Sequence, residues 1–413
     1  MKKTHLDSII VTIIVFAIIG LFSLIPLKTG ILDPLGKAIS DFDIYDLVFS
    51  RLRNEQQADT NIVIVNVGNL DRAGIARQID TVNKYSPKVI ALDIFFWKEK
   101  DPGPDSVLSK AISRCRNLVM VSMLDRYNED KDSYDTLSTS MSKFTGNAVT
   151  GFANFPEDDK GGYRTIRSFQ PVAFYKHKKE VAFPVKVVEA IDRKKYENFL
   201  KRNNEKEIIN FRGNFNKFYY LDTYALLEGG ADLHILKDKI VLMGYMGENL
   251  TTKVLEDIFF TPLNERYAGR SFPDMYGVVI NANIVSMLMN ENFIGRMPYY
   301  LSLILAVVSC FFCALGLFTI KSKYKDWFGA AFKLFMLLVT ILDLDIGVNI
   351  FNYFNYKINL TLLLAALVLT PTCLDLYQIY IEKWLFKKLS KMDAKGKDEI
   401  IQAHSNNTFG HVR

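Results

Sequence analysis

Four long apolar stretches, one near the start of the chain and three near its end, constrain what it can fold into more than any other feature. They run from Ser8 to Leu27, Tyr299 to Ile320, Trp327 to Phe351 and Ile358 to Tyr380. Each has the roughly 20 residues that a helix needs to cross a hydrocarbon core about 30 Å thick. In such a core the backbone must satisfy its own polar groups, so each stretch is expected to be a transmembrane helix. Lys2 and Lys3 precede the first stretch as they would a secretion signal, but no small-x-small cleavage site follows "LFSLIPLKTG". It is expected to remain as an anchor.

Basic residues set the orientation. The segments "MKKTHLD" and "KSKYKD" and the tail from Glu382 carry formal charges of +1, +2 and +3, which together equal the net +6 of the whole chain. Lysine and arginine stay on the cytoplasmic side of short loops. Both termini are therefore expected inside an inner or plasma membrane, with residues 28–298 in the periplasm or extracellular space. The expected organisation is residues 1–27 as cytoplasmic N-terminus and first span, 28–298 as an exported domain, 299–380 as three further spans, and 381–413 as a basic tail. Because the basic balance reports orientation, it gives a nucleic-acid partner no support.

The exported region alternates short β-branched runs with helical stretches: "NIVIVNV", a helix from Asp71 to Tyr85, "KVIALDIFF", a helix from Asp105 to Arg114, and "NLVMVSML". Such alternation predicts parallel strands joined by crossover helices. A polar loop is expected from Asp125 to Gly146, then strands at "AVTGFANF" and "TIRSFQPVAFY" and a helix from Phe183 to Arg193. "EIINFRG", a helix from Thr223 to Leu227, "KIVLMGY" and a last helix from Met275 to Met289 complete the reading. The expected fold is an α/β extracytoplasmic domain with a largely parallel mixed sheet, plus an all-α four-helix transmembrane region. Before the first strand, Leu35, Ala38, Ile39, Phe42, Tyr45, Phe49 and Leu52 fall at helical spacing and predict an amphipathic helix.

The segments "DLVFSRLRN", "NIVIVNV", "KVIALDIFF", "EIINFRG", "LKDKIVLMGYMG", "EDIFFTPL" and "MYGVVINANIV" span nearly all of the exported region. In this order they resemble the type-2 CHASE domain, an extracellular sensory module found with cyclases and histidine kinases. Members of that family typically carry three transmembrane helices after the domain, the arrangement read here. The chain departs from the family pattern after the first strand, where Gly68, Asn69, Leu70 and Asp71 replace an acidic pair and a Gly and Trp/Pro-rich turn. It departs again at Asn281, where a histidine is common. The family usually ends in a cytoplasmic kinase or cyclase, whereas 33 residues follow the fourth span here. A segment that short cannot build a catalytic core, so the resemblance implies action through a separate effector protein.

A ligand site in a parallel sheet lies at the carboxyl edge of the strands, where Asn69, Asp71, Asp93, Asp125 and Glu248 are expected to gather. Asp71 reads equally as a helix cap, and Asp93 as a carboxylate held by a structural hydrogen bond. Arg212 and Asp257 are expected to form an ion pair closing the sheet. Ionisable groups inside spans are costly unless paired or functional. Lys333 and Asp375, at similar depth from the cytoplasmic side, are expected to clamp two helices, with a snorkelling Lys333 as the competing reading. Asp343 and Asp345, nearer the outer face, are candidates for a partner contact inside the membrane or for simple water exposure.

Catalytic chemistry finds little footing. "GYMGEN" lacks the Lys-Ser/Thr of a phosphate loop, no Gly-x-Ser-x-Gly nucleophile motif occurs, and His177 and His234 stand far apart in the exported region without ligand spacing. Cys115 is the one cysteine outside the spans and reads as a buried thiol. The expectation is a non-enzymatic protein without metal or cofactor. Membrane lipid is an expected partner, with Trp384, Leu385, Phe386 and Leu389 lying among lysines in the tail. A homo- or hetero-oligomer with a membrane or envelope effector is expected as well, and the sequence names no small-molecule ligand. The expected function is a membrane sensor or signal-transmitting subunit; the rival is a structural scaffold of an envelope complex, with a transporter third because no internal repeat is present.

Overall fold

A computed structural model describes residues 2–24, 44–155, 165–248, 255–264, 272–324, 328–358 and 360–382. Two compact units divide the chain: Leu35–Gly295 is one, and Met1–Pro34 with Arg296–Arg413 is the other. The helices discussed below are α1 (Lys2–Ser23), α2 (Arg72–Lys84), α3 (Pro102–Ser113), α4 (Phe183–Ile191), α5 (Arg193–Leu200), α6 (Gly277–Met289), α7 (Tyr299–Lys323), α8 (Phe328–Phe354) and α9 (Leu360–Leu376).

The first unit is built on a nine-stranded sheet. Its strands are β1 (Asp59–Asn66), β2 (Val89–Asp93), β3 (Leu118–Asn128), β4 (Ser133–Thr139), β5 (Val149–Phe152), β6 (Val172–Tyr175), β7 (Lys178–Val181), β8 (Phe218–Leu221) and β9 (Ile240–Gly244). Their order is β8-β1-β9-β2-β3-β4-β6-β7, with β5 also paired to β3. The block β8-β1-β9-β2-β3 is parallel throughout, while β3–β4 and β6–β7 are antiparallel. Strands buried on both faces read as continuous apolar runs, and every residue from Ile62 to Val65 and from Ile240 to Met243 is buried. Residues on one face, among them Val63, Val65, Ile90, Leu92, Val241 and Met243, pack with Ile75, Ile79 and Val82 of α2 and Leu108 and Ile112 of α3. Helices α4 and α6 pack against each other, with α6 lying on β1 and β9.

Four long helices of the second unit (Lys3–Ser23, Tyr299–Lys323, Gly329–Phe354 and Leu360–Ile381) are long and apolar enough to cross a membrane. Val11 and Val15 of α1, Cys310, Cys313 and Leu317 of α7, and Ala366, Leu367 and Leu374 of α9 share one buried core. Small residues at these positions let helices approach closely in lipid. Pro371 lies inside α9, which continues as a π-helical turn from Tyr377 to Ile381.

Several expectations need correction. The segment Asp125–Gly146 is no loop: β3 runs on to Asn128, turns through Glu129–Lys131 and returns as β4. Alternating Ser, Thr and Tyr side chains suit an exposed hairpin, and Tyr127 packs on Tyr134 across it. "EIINFRG" pairs only at Glu207–Ile208, with Ser168–Phe169. Beyond that, a side-chain amide replaces the partner strand: Arg212 N donates to Asn283 Oδ1 at 2.7 Å, and Asn283 Nδ2 donates to Gly213 O at 2.9 Å. Strand β8 was not expected at all, nor was α5, which Asp192 caps through Lys195 N at 3.0 Å. Of the expected amphipathic helix, Leu35, Ala38, Ile39 and Phe42 lie outside the described residues. Ile44–Leu47 is helical and Val48–Leu52 π-helical, with Tyr45 and Phe49 buried and Leu52 exposed. The basic tail from residue 383, Leu27 and Trp327 also lie outside the described residues.

Candidate functional site

The carboxyl edge of the parallel block places Asn66, Gly244 and Asp93 in one register row across β1, β9 and β2. Asn66 organises the loops there. Its Nδ2 donates to Asp222 Oδ1 at 2.9 Å and Gly247 O at 3.1 Å, and its Oδ1 accepts from Gly68 N and Met246 N. Gly244 is the one residue of the row without a side chain, and helix α6 enters through that gap. A Cβ at position 244 would stand 2.6 Å from Val278 Cβ and 3.3 Å from Asp93 Cβ.

Asp93 closes the row. Its Oδ2 accepts from Asn281 Nδ2 at 2.9 Å. Burial pushes the carboxyl up to about 6, against the pull of the Asn281 hydrogen bond. Asn281 is 1% exposed, and its Oδ1 has no hydrogen-bond partner among the described residues.

Asp257 meets the same helix one turn earlier. Its carbonyl accepts from Gly277 N at 3.0 Å, and a Cβ at position 277 would come within 3.0 and 3.1 Å of its two carboxylate oxygens. Residues four apart share a helix face, so Gly277 and Asn281 bring Asp257 and Asp93 side by side over α6. Crowding by the fold, then the charges of Asp93 and Glu256, push the Asp257 carboxyl up to about 8. Asp257 is exposed, so the acid pair is open to water. Glu248 and Glu256 both lie near the Tyr245 hydroxyl and help raise it, after burial. Among the described residues no lysine or arginine forms an ion pair with Asp93, Glu248, Glu256 or Asp257.

The other sequence-derived candidates fall elsewhere. Asp71 caps α2, accepting from Gly74 N at 2.7 Å. Asn69 is exposed in the turn after β1, and Glu248 is exposed at the rim beside Tyr245. Asp125 is exposed within the hairpin, opposite Thr136, away from the row that Asp93 closes. Arg212 and Asp257 are not paired: the guanidinium donates from Nη1 to Gln57 O at 2.6 Å and from Nε to Ser286 Oγ at 2.9 Å.

Those contacts lead along α6 to the opposite edge of the sheet. Asp59, at the start of β1, accepts from Ser286 Oγ at 2.7 Å and Asn290 Nδ2 at 3.1 Å. A cavity of about 220 Å³ opens beside it, lined by Asn61, Lys88, Lys195 and Asn290 among others. One buried helix thus holds Asp93 at one edge of the sheet and Asp59 at the other. Sequence reasoning missed this, although the polar Asn281, Asn283 and Ser286 inside an otherwise apolar helix were the available signal.

In the membrane unit, Asp375 lies 3.5 Å from Lys321 of α7, and Lys333 is exposed on α8. Asp375 thus faces a lysine of α7, and Lys333 is not its partner. Asp343 accepts from Ser309 Oγ of α7 at 2.6 Å, whereas Asp345 is exposed and accepts from Asn349 Nδ2 of its own helix at 2.9 Å. Asp7 of α1 accepts from the hydroxyl of Tyr377, which ties the first span to the last.

The family model for the CHASE2 domain matches residues 13–319. No curated protein and no solved structure matches the chain. The match covers well over half of the sequence, and the chain belongs to the CHASE2 domain family.

Proposed function

We propose that this member of the CHASE2 family is a membrane-anchored sensor that passes its signal to a separate effector protein. The family is one of extracellular sensory domains and not of catalysts, and the four apolar helices make the protein a membrane protein with an extracytoplasmic segment. The observation that carries the reading is the course of α6. This helix grips Asp93 and Asp59 at opposite edges of the sheet, ends at Met289, and is followed in sequence by α7, the second span, from Tyr299. A change at the carboxyl edge therefore acts on the element that leads into the membrane.

In this reading residues 28–298 form the sensory domain outside an inner or plasma membrane, both termini are cytoplasmic, and 381–413 is the cytoplasmic tail. The stimulus acts at Asp93 and Asp257 with Asn281. Purification from native membranes with mass spectrometry of co-eluting proteins tests the proposal. A kinase, cyclase or other signalling protein is the expected companion; self-association alone would overturn it. The scaffold reading draws support from Asp345, an exposed carboxylate on a membrane helix, and secretion or envelope-assembly proteins in the same eluate would favour it.

A further inference from the structure

The acid pair at the carboxyl edge is electrostatically incomplete. Asp93 and Asp257 stand one helical turn apart over α6, with Glu256 next to Asp257 in sequence and Glu248 at the rim, and none of the four has a cationic partner among the described residues. Like charges held close together repel unless a proton or a cation joins them. An independent observation points to a ligand: the Oδ1 of Asn281, in a side chain 1% exposed, has no partner among the described residues. Its own Nδ2 is 2.9 Å from the Asp93 carboxylate, so this orphan oxygen sits in the amide that touches Asp93. A buried acceptor left without a partner is costly and calls for one.

The donor set defines the chemistry. Two carboxylates and an amide carbonyl offer only hard oxygen atoms, and neither histidine nor cysteine stands among them. Such a set suits calcium or magnesium over the softer transition metals. Asp257 is open to solvent, which gives an ion a path and lets water complete its shell. We infer that Asp93, Asp257 and Asn281 form a binding site for a hard divalent cation. This rests on reading the carboxyl edge as the place where the module receives its signal. Bound there, the cation replaces repulsion between the two acids with a shared attraction at the head of α6.

The test uses the full chain in detergent, freed of metal with a chelator and then melted with added CaCl2 or MgCl2. The expected result is a saturable rise in melting midpoint, with half-saturation on the order of 0.1–1 mM, the range of extracellular calcium modules. Asp257→Asn should weaken binding about tenfold or more, since ligand charge count tunes affinity. Asn281→Asp adds a carboxylate and should tighten it, a gain that impaired folding cannot imitate. Lys88→Ala, at the opposite edge, should leave it unchanged. No saturable effect of either ion, with acid alone raising the midpoint, would overturn the inference in favour of a shared proton; so would a calcium response undiminished in Asp257→Asn. Co-purification is read separately. An effector found without cation binding overturns the ligand alone, and cation binding without an effector upholds the ligand and overturns the signalling partner.

Discussion

The side-chain amide of Asn281 donates to Oδ2 of Asp93 at 2.9 Å, joining residues 188 positions apart in the chain. This bond fixes where β2 ends relative to helix α6, buried along nearly its whole length. Asn281→Ala leaves the Asp93 carboxylate without its side-chain donor and should cost about 1–3 kcal/mol of stability. Thermal or denaturant unfolding of the full chain in detergent measures the loss. A variant as stable as the parent would show that the bond is dispensable.

Stability without added divalent ions should fall as pH rises. In the folded state Asp93 and Asp257 titrate near 6 and near 8, both above the ordinary carboxylate value of 3.8. The folded protein therefore holds these protons more tightly than the unfolded chain does. Their stabilising effect is complete below the unfolded value, is lost as pH rises through the two folded values, and is level above them. Melting midpoints across that window should fall, and Asp257→Asn should remove the upper part of the fall. A flat profile in the parent contradicts the placement of the pair.

Gly244→Ala should be destabilising even though alanine favours no forbidden backbone here. The added carbon would meet Val278 Cβ at 2.6 Å and Cγ2 at 2.8 Å, where the helix lies against the sheet. Overpacking of this kind costs about 1–3 kcal/mol. Val278→Gly in the same chain removes both carbons, so Gly244→Ala should cost less in that background than in the parent; an equal cost in both would locate the damage elsewhere.

Orientation can be read with reporters. Green fluorescent protein fused after Arg413 should fluoresce, and alkaline phosphatase inserted at the exposed Asn204 should be active, because positive residues flank the spans on the cytoplasmic side. The reverse pattern would invert the topology.

The long-range order of the fold was legible because its signals are strong and local. Continuous apolar runs such as Ile62–Val65 and Ile240–Met243 mark strands buried on both faces, and the four spans announce themselves by length. Less was visible where tertiary partners decide. Phe218–Leu221 is a four-residue edge strand with Tyr219 and Tyr220 exposed, too short to show a clear alternation. Asn210–Gly213 carries a strand-like sequence but spends its hydrogen bonds on Asn283 and its neighbours. At the site, Asp93 could be found because a carboxylate ending an apolar strand must have a partner. Asp257, in a turn, reads in sequence as a partner for Arg212 at a strand end, because opposite charges suggest a pair. The structure joins it instead to another acid, a pairing that attraction between charges would never suggest.

Every residue of α6 from Gly277 to Leu288 is buried. A helix with no face left to water has no soft direction, since any small rotation lifts side chains out of packed neighbours all around it. Interiors of this density move between discrete packings and do not deform by degrees. A stimulus carried by this helix would reach the membrane as a threshold event, so the output should switch over a narrow range of stimulus and ignore fluctuations below it.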